Sequence, residues 1–201
     1  MKLTWLGHAC FAVEQDGYRI VLDPYTNVPG HPDTCTRAHQ VLCSHGHYDH
    51  CAVDGVELLE ARENPFSVRT VETCHDEEGG ALRGPNTVHI LTAGGVTVAH
   101  MGDLGHRLTA EQIAAIGAVD GILIPVGGTY TVDNAGAKDV CTALNPKWVV
   151  PMHYRHGEYG FPVLLTAEDF AALWNPDQVH RHNGAELEVT AETAGVQILA
   201  I

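Results

Sequence analysis

Two β-sheets packed face to face, with helices on their outer faces, form the α/β architecture that this sequence predicts. Three observations carry it. Short apolar runs follow one another closely at the start, strands then alternate with amphipathic helices, and no linker, low-complexity tract or internal repeat interrupts the chain. A length of 201 residues suits one domain spanning 1–201.

Leu3–Leu6, Cys10–Val13 and Tyr18–Leu22 read as a meander of strands, with Gln15-Asp16-Gly17 as a hairpin turn. Residues 23–40 carry Pro24, Pro29, Gly30 and Pro32 and are expected to be loop. Val41–Cys43 is a short buried strand running into Ser44-His45-Gly46-His47-Tyr48-Asp49-His50. A helix is expected next, with Asp54 as N-cap and Glu57 three residues on. Pro65 ends that segment, and Ser67–Thr73 alternates as a strand. Residues 74–86 have loop chemistry, and Thr87–Leu91 and Val96–Ala99 form a hairpin about Ala93-Gly94-Gly95. Thr109 and Gln112 make a capping box for a helix that turns Ile113 and Ile116 inward. Gly121–Pro125 is a buried strand, and Asp133 caps a helix whose Ala137, Val140, Cys141 and Leu144 share one face. Trp148–Pro151 is another buried strand. A helix from about Thr166 is expected to bury Phe170, Leu173 and Trp174, and strands near Val179–Arg181, Leu187–Val189 and Val196–Ala200 close the chain.

Composition narrows the function. With 11 Lys+Arg against 25 Asp+Glu, the formal charge is −14, which disfavours nucleic acid and anionic membranes as partners. No apolar run approaches the roughly 20 residues of a membrane helix. Gly7 and His8 break the first apolar stretch too soon for a secretory signal. The 6 cysteines, Cys10, Cys35, Cys43, Cys51, Cys74 and Cys141, form no C-x-x-C pair. They are expected to be reduced thiols of a cytoplasmic protein, with Cys51 and Cys74 small packed residues rather than soft ligands. The 14 histidines are out of proportion. They direct attention to metal chemistry.

His45-x-His47-x-Asp49-His50 is the strongest local signal. Alternate residues of extended backbone point the same way, so His45 and His47 can grip one ion while the following turn aims Asp49 and His50 elsewhere. Imidazole and carboxylate suit borderline divalent metals. His75, Asp103 and His153 each follow a strand, where binding groups gather, and the full set fits two ions bridged by a shared carboxylate. Asp76 stands beside His75 as an alternative ligand. His89 and His100 read as packed residues, and His31, His39, His180 and His182 as surface ones.

These residues resemble the metallo-β-lactamase superfamily, and most closely its branch of metal-dependent hydrolases similar to the L-ascorbate-6-phosphate lactonases. The resemblance runs through Thr4-Trp5-Leu6-Gly7-His8, Leu22-Asp23-Pro24, Cys43 to His50, His100-Met101-Gly102-Asp103, Ile124-Pro125-Val126-Gly127-Gly128 and Val150-Pro151-Met152-His153-Tyr154. It implies a four-layer αββα sandwich with the site at one edge of the sheets. It also implies His45, His47 and His75 on one metal, Asp49, His50 and His153 on the second, and Asp103 bridging both. Asp23 matches a residue that braces the metal loop through hydrogen bonds.

The chemistry expected is hydrolysis by a metal-bridging hydroxide. Two divalent ions lower the pKa of a shared water from about 15.7 towards about 7. Asp49 is expected to orient that nucleophile. Zinc or manganese is the expected metal, with iron left open. Two dications, two carboxylates and a hydroxide leave the site slightly positive, which suits a small anionic ester, lactone or phosphodiester. Arg83 and Arg155 are candidate anion clamps, and His8 and His106 candidate proton donors or substrate contacts. A small molecule is thus the expected partner, with a homo-oligomer left open. The alternatives are a mononuclear-iron or other redox enzyme on the same fold, or a metal-binding protein without turnover.

Overall fold

The computed structural model describes residues 1–201. The expected meander is present as β1 (Lys2–Gly7), β2 (Cys10–Gln15) and β3 (Tyr18–Leu22). Along these strands the side chains alternate between two buried faces. Leu3, Trp5, Phe11, Val13, Ile20 and Leu22 point into a core of 42 buried residues shared with a second sheet. Each such fully buried side chain contributes about 1.5–3 kcal/mol. Cys10, Ala12 and Val21 point the other way, onto Tyr25, Val28, Ala38 and Val56.

Two short strands follow, β4 (Thr36–Ala38) and β5 (Gln40–Leu42), so the stretch expected to be loop contains the first and meets the second. The helix expected after Asp54 is absent. Val53–Gly55 makes one 3-10 turn and β6 (Val56–Leu58) pairs parallel with β4. The reason is burial: only Val56 in this stretch goes inward, onto Tyr25, Val28 and Ala38, while Leu58 is exposed. One inward side chain supplies no helical stripe. Glu57 instead pairs with Arg37 across the ribbon at 3.0 Å.

Beyond it run β7 (Ser67–Cys74), β8 (Pro85–Ala93), β9 (Val96–His100), α1 (Ala110–Ile116), β10 (Gly121–Pro125), α2 (Asn134–Leu144), β11 (Trp148–Met152) and α3 (Ala167–Ala171). The chain closes with β12 (Val179–Arg181), β13 (Glu186–Glu188) and β14 (Gly195–Ile198). Thr109 caps α1 through the expected box with Gln112, and Asp133 caps α2 through the Gly136 N–H. Helix α3 stops at Ala171, so Phe170 is buried but Leu173, expected inward, is 46% exposed. Trp174 is half-buried under the Lys138 ammonium, 2.9 Å from its ring centre.

The strand orders are β13-β1-β2-β3-β5 in one sheet and β12-β14-β11-β10-β9-β8-β7 in the other. The helices pack on the second sheet, α1 on β7, α2 on β10 and α3 on β11. Over the outer face of the first sheet lies the β4–β6 ribbon with its loops. This is the mixed α/β sandwich that the sequence predicts, except that the outer face of the first sheet is covered by the β4–β6 ribbon and not by helices.

Strand direction decides where loops converge. In the first sheet β1, β3 and β5 share one direction; in the second, β7, β9, β10 and β11 do. Loops leaving their C-terminal ends therefore meet at one edge of each sheet. The candidate metal ligands stand on those loops.

Candidate metal centre

The loop after β5 carries His45, His47, Asp49 and His50, and Asp23 at the end of β3 holds it in place. The Asp23 carboxylate accepts hydrogen bonds from the Ser44 N–H and hydroxyl, both at 2.6 Å, and from His50 Nδ1 at 2.8 Å. Burial pushes this carboxyl up, but His100, His50 and Ser44 outweigh it and bring its pKa to about 2. Once Nδ1 of His50 donates to Asp23, its Nε2 lone pair faces the other candidates.

Asp103 is the centre of the arrangement. Its Oδ2 lies 3.2 Å from His50 Nε2, 3.2 Å from His75 Nε2 and 3.3 Å from His153 Nε2. Around it the ligand atoms fall into two main groups, His45, His47 and His75 in one and His8, Asp49, His50 and His153 in the other, while Asp23, His45 and His50 form a third that shares residues with both. Within each group the atoms lie within 4.8 Å of one another. Asp103 Oδ1 and His50 Nε2 are buried and have no hydrogen-bond partner. Buried polar atoms normally find partners, so converging orphans of this chemistry fit divalent ions.

The electrostatics agree. Burial pushes the Asp103 carboxyl up, yet the imidazoles of His153 and His50 hold it well below the usual carboxylate range. Burial lowers His50, and the Asp103 and Asp23 carboxylates reverse this and raise it. Burial likewise raises Asp49, but His8 and His50 bring its pKa to about 2. His45 is lowered to about 4 by burial and by His50. The loop thus presents an ionised Asp49 beside a neutral His45, while the Asp103 and Asp23 carboxylates favour a positive charge at His50.

Supports for Asp103 escape a reading of spacing. Asn86, fully buried where β8 begins, accepts the Asp103 N–H at 2.8 Å and donates to Thr73 Oγ1 and the Met101 carbonyl. Gly102 adopts φ +56°, and a Cβ there would overlap Asn86 and Ser44. The only local signal was an Asn following Pro85 ahead of a strand.

A cavity of about 340 Å³ opens over the cluster, lined by His47, Tyr48, Asp49, His75, Arg83, Asp103, Tyr130, His153 and Phe161. Arg83 lies over the Tyr130 ring, 5.9 Å from its centre, and donates to the Thr129 carbonyl. Asp76, the alternative to His75, instead organises this loop: it accepts the N–H groups of Glu78, Gly80, Leu82 and Arg83. A larger cavity, about 550 Å³, adjoins it and shares Arg83 and Tyr130 but none of the clustered His.

Three expected substrate contacts lie elsewhere. Arg155 lines a separate cavity of about 290 Å³, its Nε donating to the Leu164 carbonyl. His106 accepts the Cys74 N–H at Nε2 and donates from Nδ1 to the Arg107 carbonyl, so its ring fastens the residue before His75. His8 is fully buried against His153 and Asp49 and does not itself line the cavity; burial and then His153 hold it neutral, with a pKa of about 3.

Of the remaining histidines, His156 and His180 are exposed, His180 as expected, and the others are wholly or partly packed. His89 Nε2 pairs with the Cys43 carbonyl and His100 Nε2 with that of Ala9. His31, expected at the surface, sits half-buried among Trp5, Tyr25 and Tyr159, and His39 stacks on Tyr18. All 6 cysteines are free, and none joins a ligand group.

Known proteins match this chain along most of its length. The beta-lactamase superfamily domain model matches residues 2–153. A UPF0173 metal-dependent hydrolase of Carboxydothermus hydrogenoformans is 32% identical over 193 residues, across 77% of this chain and 84% of that protein. A crystal structure from Thermotoga maritima, described as a candidate Zn-dependent hydrolase of the metallo-beta-lactamase superfamily, is 36% identical with a TM-score of 0.77, covering 98% of this chain and 97% of that one. An isothiocyanate hydrolase from Delia radicum gut bacteria is 14% identical with a TM-score of 0.63, over 86% of this chain and 91% of that one, and shares the fold.

Proposed function

The chain belongs to the beta-lactamase superfamily and is a metal-dependent hydrolase, and we propose that it works through a dinuclear centre on a small anionic ester, lactone or phosphodiester. In this reading His45, His47 and His75 would hold one ion and Asp49, His50 and His153 the other, with the Asp103 carboxylate available to both. The observation that carries this reading is Asp103 Oδ2 at 3.2, 3.2 and 3.3 Å from three imidazole nitrogens on three different loops. Zinc is the first choice, because the site is rich in imidazole and the Thermotoga maritima relative is described as Zn-dependent; manganese is the second.

When bound, such ions supply a water of lowered pKa and an electrophile for the oxygen that gains charge. The protein's own groups do the rest. Asp49, ionised at neutral pH, faces the cavity and can accept a hydrogen bond from the attacking water, orienting it. Arg83 presents a guanidinium at the cavity wall, able to hold a carboxylate or phosphate. Tyr48 keeps its proton, since burial and then the neighbouring Asp49 raise its pKa, and so can donate to a leaving oxygen. Phe161 and Tyr130 give the cavity an apolar wall, and about 340 Å³ suits a small molecule. The net charge of −14 opposes a polyanion at long range, and free cysteines fit a reducing, cytoplasmic setting.

The test is metal analysis followed by a substrate panel. Protein reconstituted with zinc or manganese is expected to retain two equivalents per chain and to hydrolyse members of a lactone, thioester and phosphodiester set. Retention of one equivalent or none would overturn the dinuclear reading. Salt-sensitive cleavage of RNA would overturn the substrate class.

A further inference from the structure

Among the buried histidines, His8 stands apart. His89 and His100 each give Nε2 to a backbone carbonyl. His8 is fully buried, yet neither its Nδ1 nor its Nε2 has a partner. Folded chains seldom leave both nitrogens of a buried imidazole unmatched.

The backbone spends conformational freedom on this placement. His8 adopts φ +52°, an unfavourable region for a residue with a Cβ. Its carbonyl accepts both Trp5 Nε1 at 3.0 Å and the His153 N–H at 3.1 Å, which locks the residue against β11. The ring is thereby directed at the second ligand group. It lies 4.1 Å from the His153 ring and 5.2 Å from the His50 ring, centre to centre. Nε2 stands 3.6 Å from Asp49 Oδ2, too long for a hydrogen bond but suited to two ligands of one ion. Its other ring neighbours are Tyr25 and Phe161, both edge-on, and neither hydrogen-bonds to it.

We propose that His8 is an additional ligand of the second metal, reaching it from a fully buried position beside His153 and Asp49. This rests on the dinuclear reading above. It makes the two sites unequal. His45, His47, His75 and Asp103 serve the first, while His8, His50, His153, Asp49 and Asp103 serve the second. The second ion, with the extra imidazole, is the one held more tightly.

Cobalt substitution tests this without relying on turnover. Imidazoles bound to Co²⁺ give hyperfine-shifted ring-proton signals, one set per ligand, in the proton NMR spectrum. The wild-type protein is expected to show a set for each of His45, His47, His50, His75, His153 and His8. His8→Gln should lack one set and bind the cobalt of the His8 site at least tenfold more weakly, with the affinity of the His45, His47 and His75 site unchanged. His89→Ala should match wild type in both measurements. Two bound ions with only the other five sets would overturn the assignment and leave the dinuclear centre standing. Fewer than two bound ions in wild type would overturn both. The wild-type count needs no variant to fold.

Discussion

The Asn86 carboxamide oxygen accepts the backbone N–H of Asp103 at 2.8 Å, and its amide nitrogen donates to Thr73 Oγ1 at 2.7 Å and to the Met101 carbonyl at 2.9 Å. One fully buried side chain thus joins the beginning of β8, the end of β7 and the loop that carries the central carboxylate. Its loss leaves buried donors and acceptors unmatched.

Asn86→Ala is therefore expected to cost about 2–3 kcal/mol of stability. It should also weaken metal binding about 10–100-fold, as removal of a group that orients a ligand does. Denaturant unfolding measures the first and competition with a chromophoric chelator the second. A large stability loss with unchanged metal affinity would leave Asn86 a purely structural residue.

The ligand set makes a sharper claim. Asp103→Asn and His153→Ala should each reduce bound metal below two equivalents, whereas His89→Ala should not, because His89 is engaged by the Cys43 carbonyl. Elemental analysis after gel filtration decides this. Full occupancy in Asp103→Asn would remove the bridge from the mechanism.

Chelation should loosen the fold as well. An ion bound only by the native state stabilises it by about 2.7 kcal/mol at a hundredfold excess over Kd. Without it, Asp103 Oδ1, His50 Nε2 and both His8 nitrogens stay buried and unmatched. EDTA is expected to lower the melting temperature by several degrees, and zinc to restore it. A curve that does not move would speak against tight binding.

Acid should act at the far end of the second sheet too. Asp120, in the turn before β10, accepts the Thr97 N–H and the Lys147 ammonium, each at 2.8 Å. Lys147 first and then the Thr97 N–H hold the Asp120 carboxyl below its ordinary 3.8. The folded pKa is the lower one, so this contribution is fully present above 3.8 and disappears as pH falls through the folded value. It amounts to about 1 kcal/mol, given the half-exposed lysine. Asp120→Asn should lose that much at pH 7, and the difference from wild type should shrink below pH 3.8. A difference independent of pH would assign the effect to packing.

Much of the centre was legible because its logic is local. His45-x-His47-x-Asp49-His50 lies within one loop, and His75, Asp103 and His153 each follow a strand whose apolar pattern is plain. What could not be read depends on contacts between distant segments. Asn86 meets Asp103 only through the sheet, and Arg155 follows His153 by two residues yet opens onto another cavity. Asp54 and Glu57 imitate a capping box, but Val56 is drawn under the first sheet and the helix never forms. In the sequence His8 reads as a proton donor or substrate contact rather than as a metal ligand, because burial and unmatched ring nitrogens are properties of the folded chain.

Arg83 carries the claim about substrate. Asp76 fixes the backbone at Leu82 and Arg83, and the Tyr130 ring supports the guanidinium, so the cation is held at the wall of the cavity that opens over Asp103. A charge-assisted hydrogen bond to a substrate anion is worth about 1.5–3 kcal/mol, or roughly 10–100-fold. Half-exposure places the expected effect near the lower end. Arg83→Ala should thus raise KM and lower kcat/KM about tenfold for carboxylated or phosphorylated substrates, with little change for neutral analogues. Metal content should stay the same, since Arg83 belongs to neither ligand group. Arg155→Ala is the control, because its side chain lines a different cavity. Equal losses on charged and neutral substrates would take Arg83 out of anion recognition, and a charge-selective loss in Arg155→Ala would mean that the substrate reaches the second cavity.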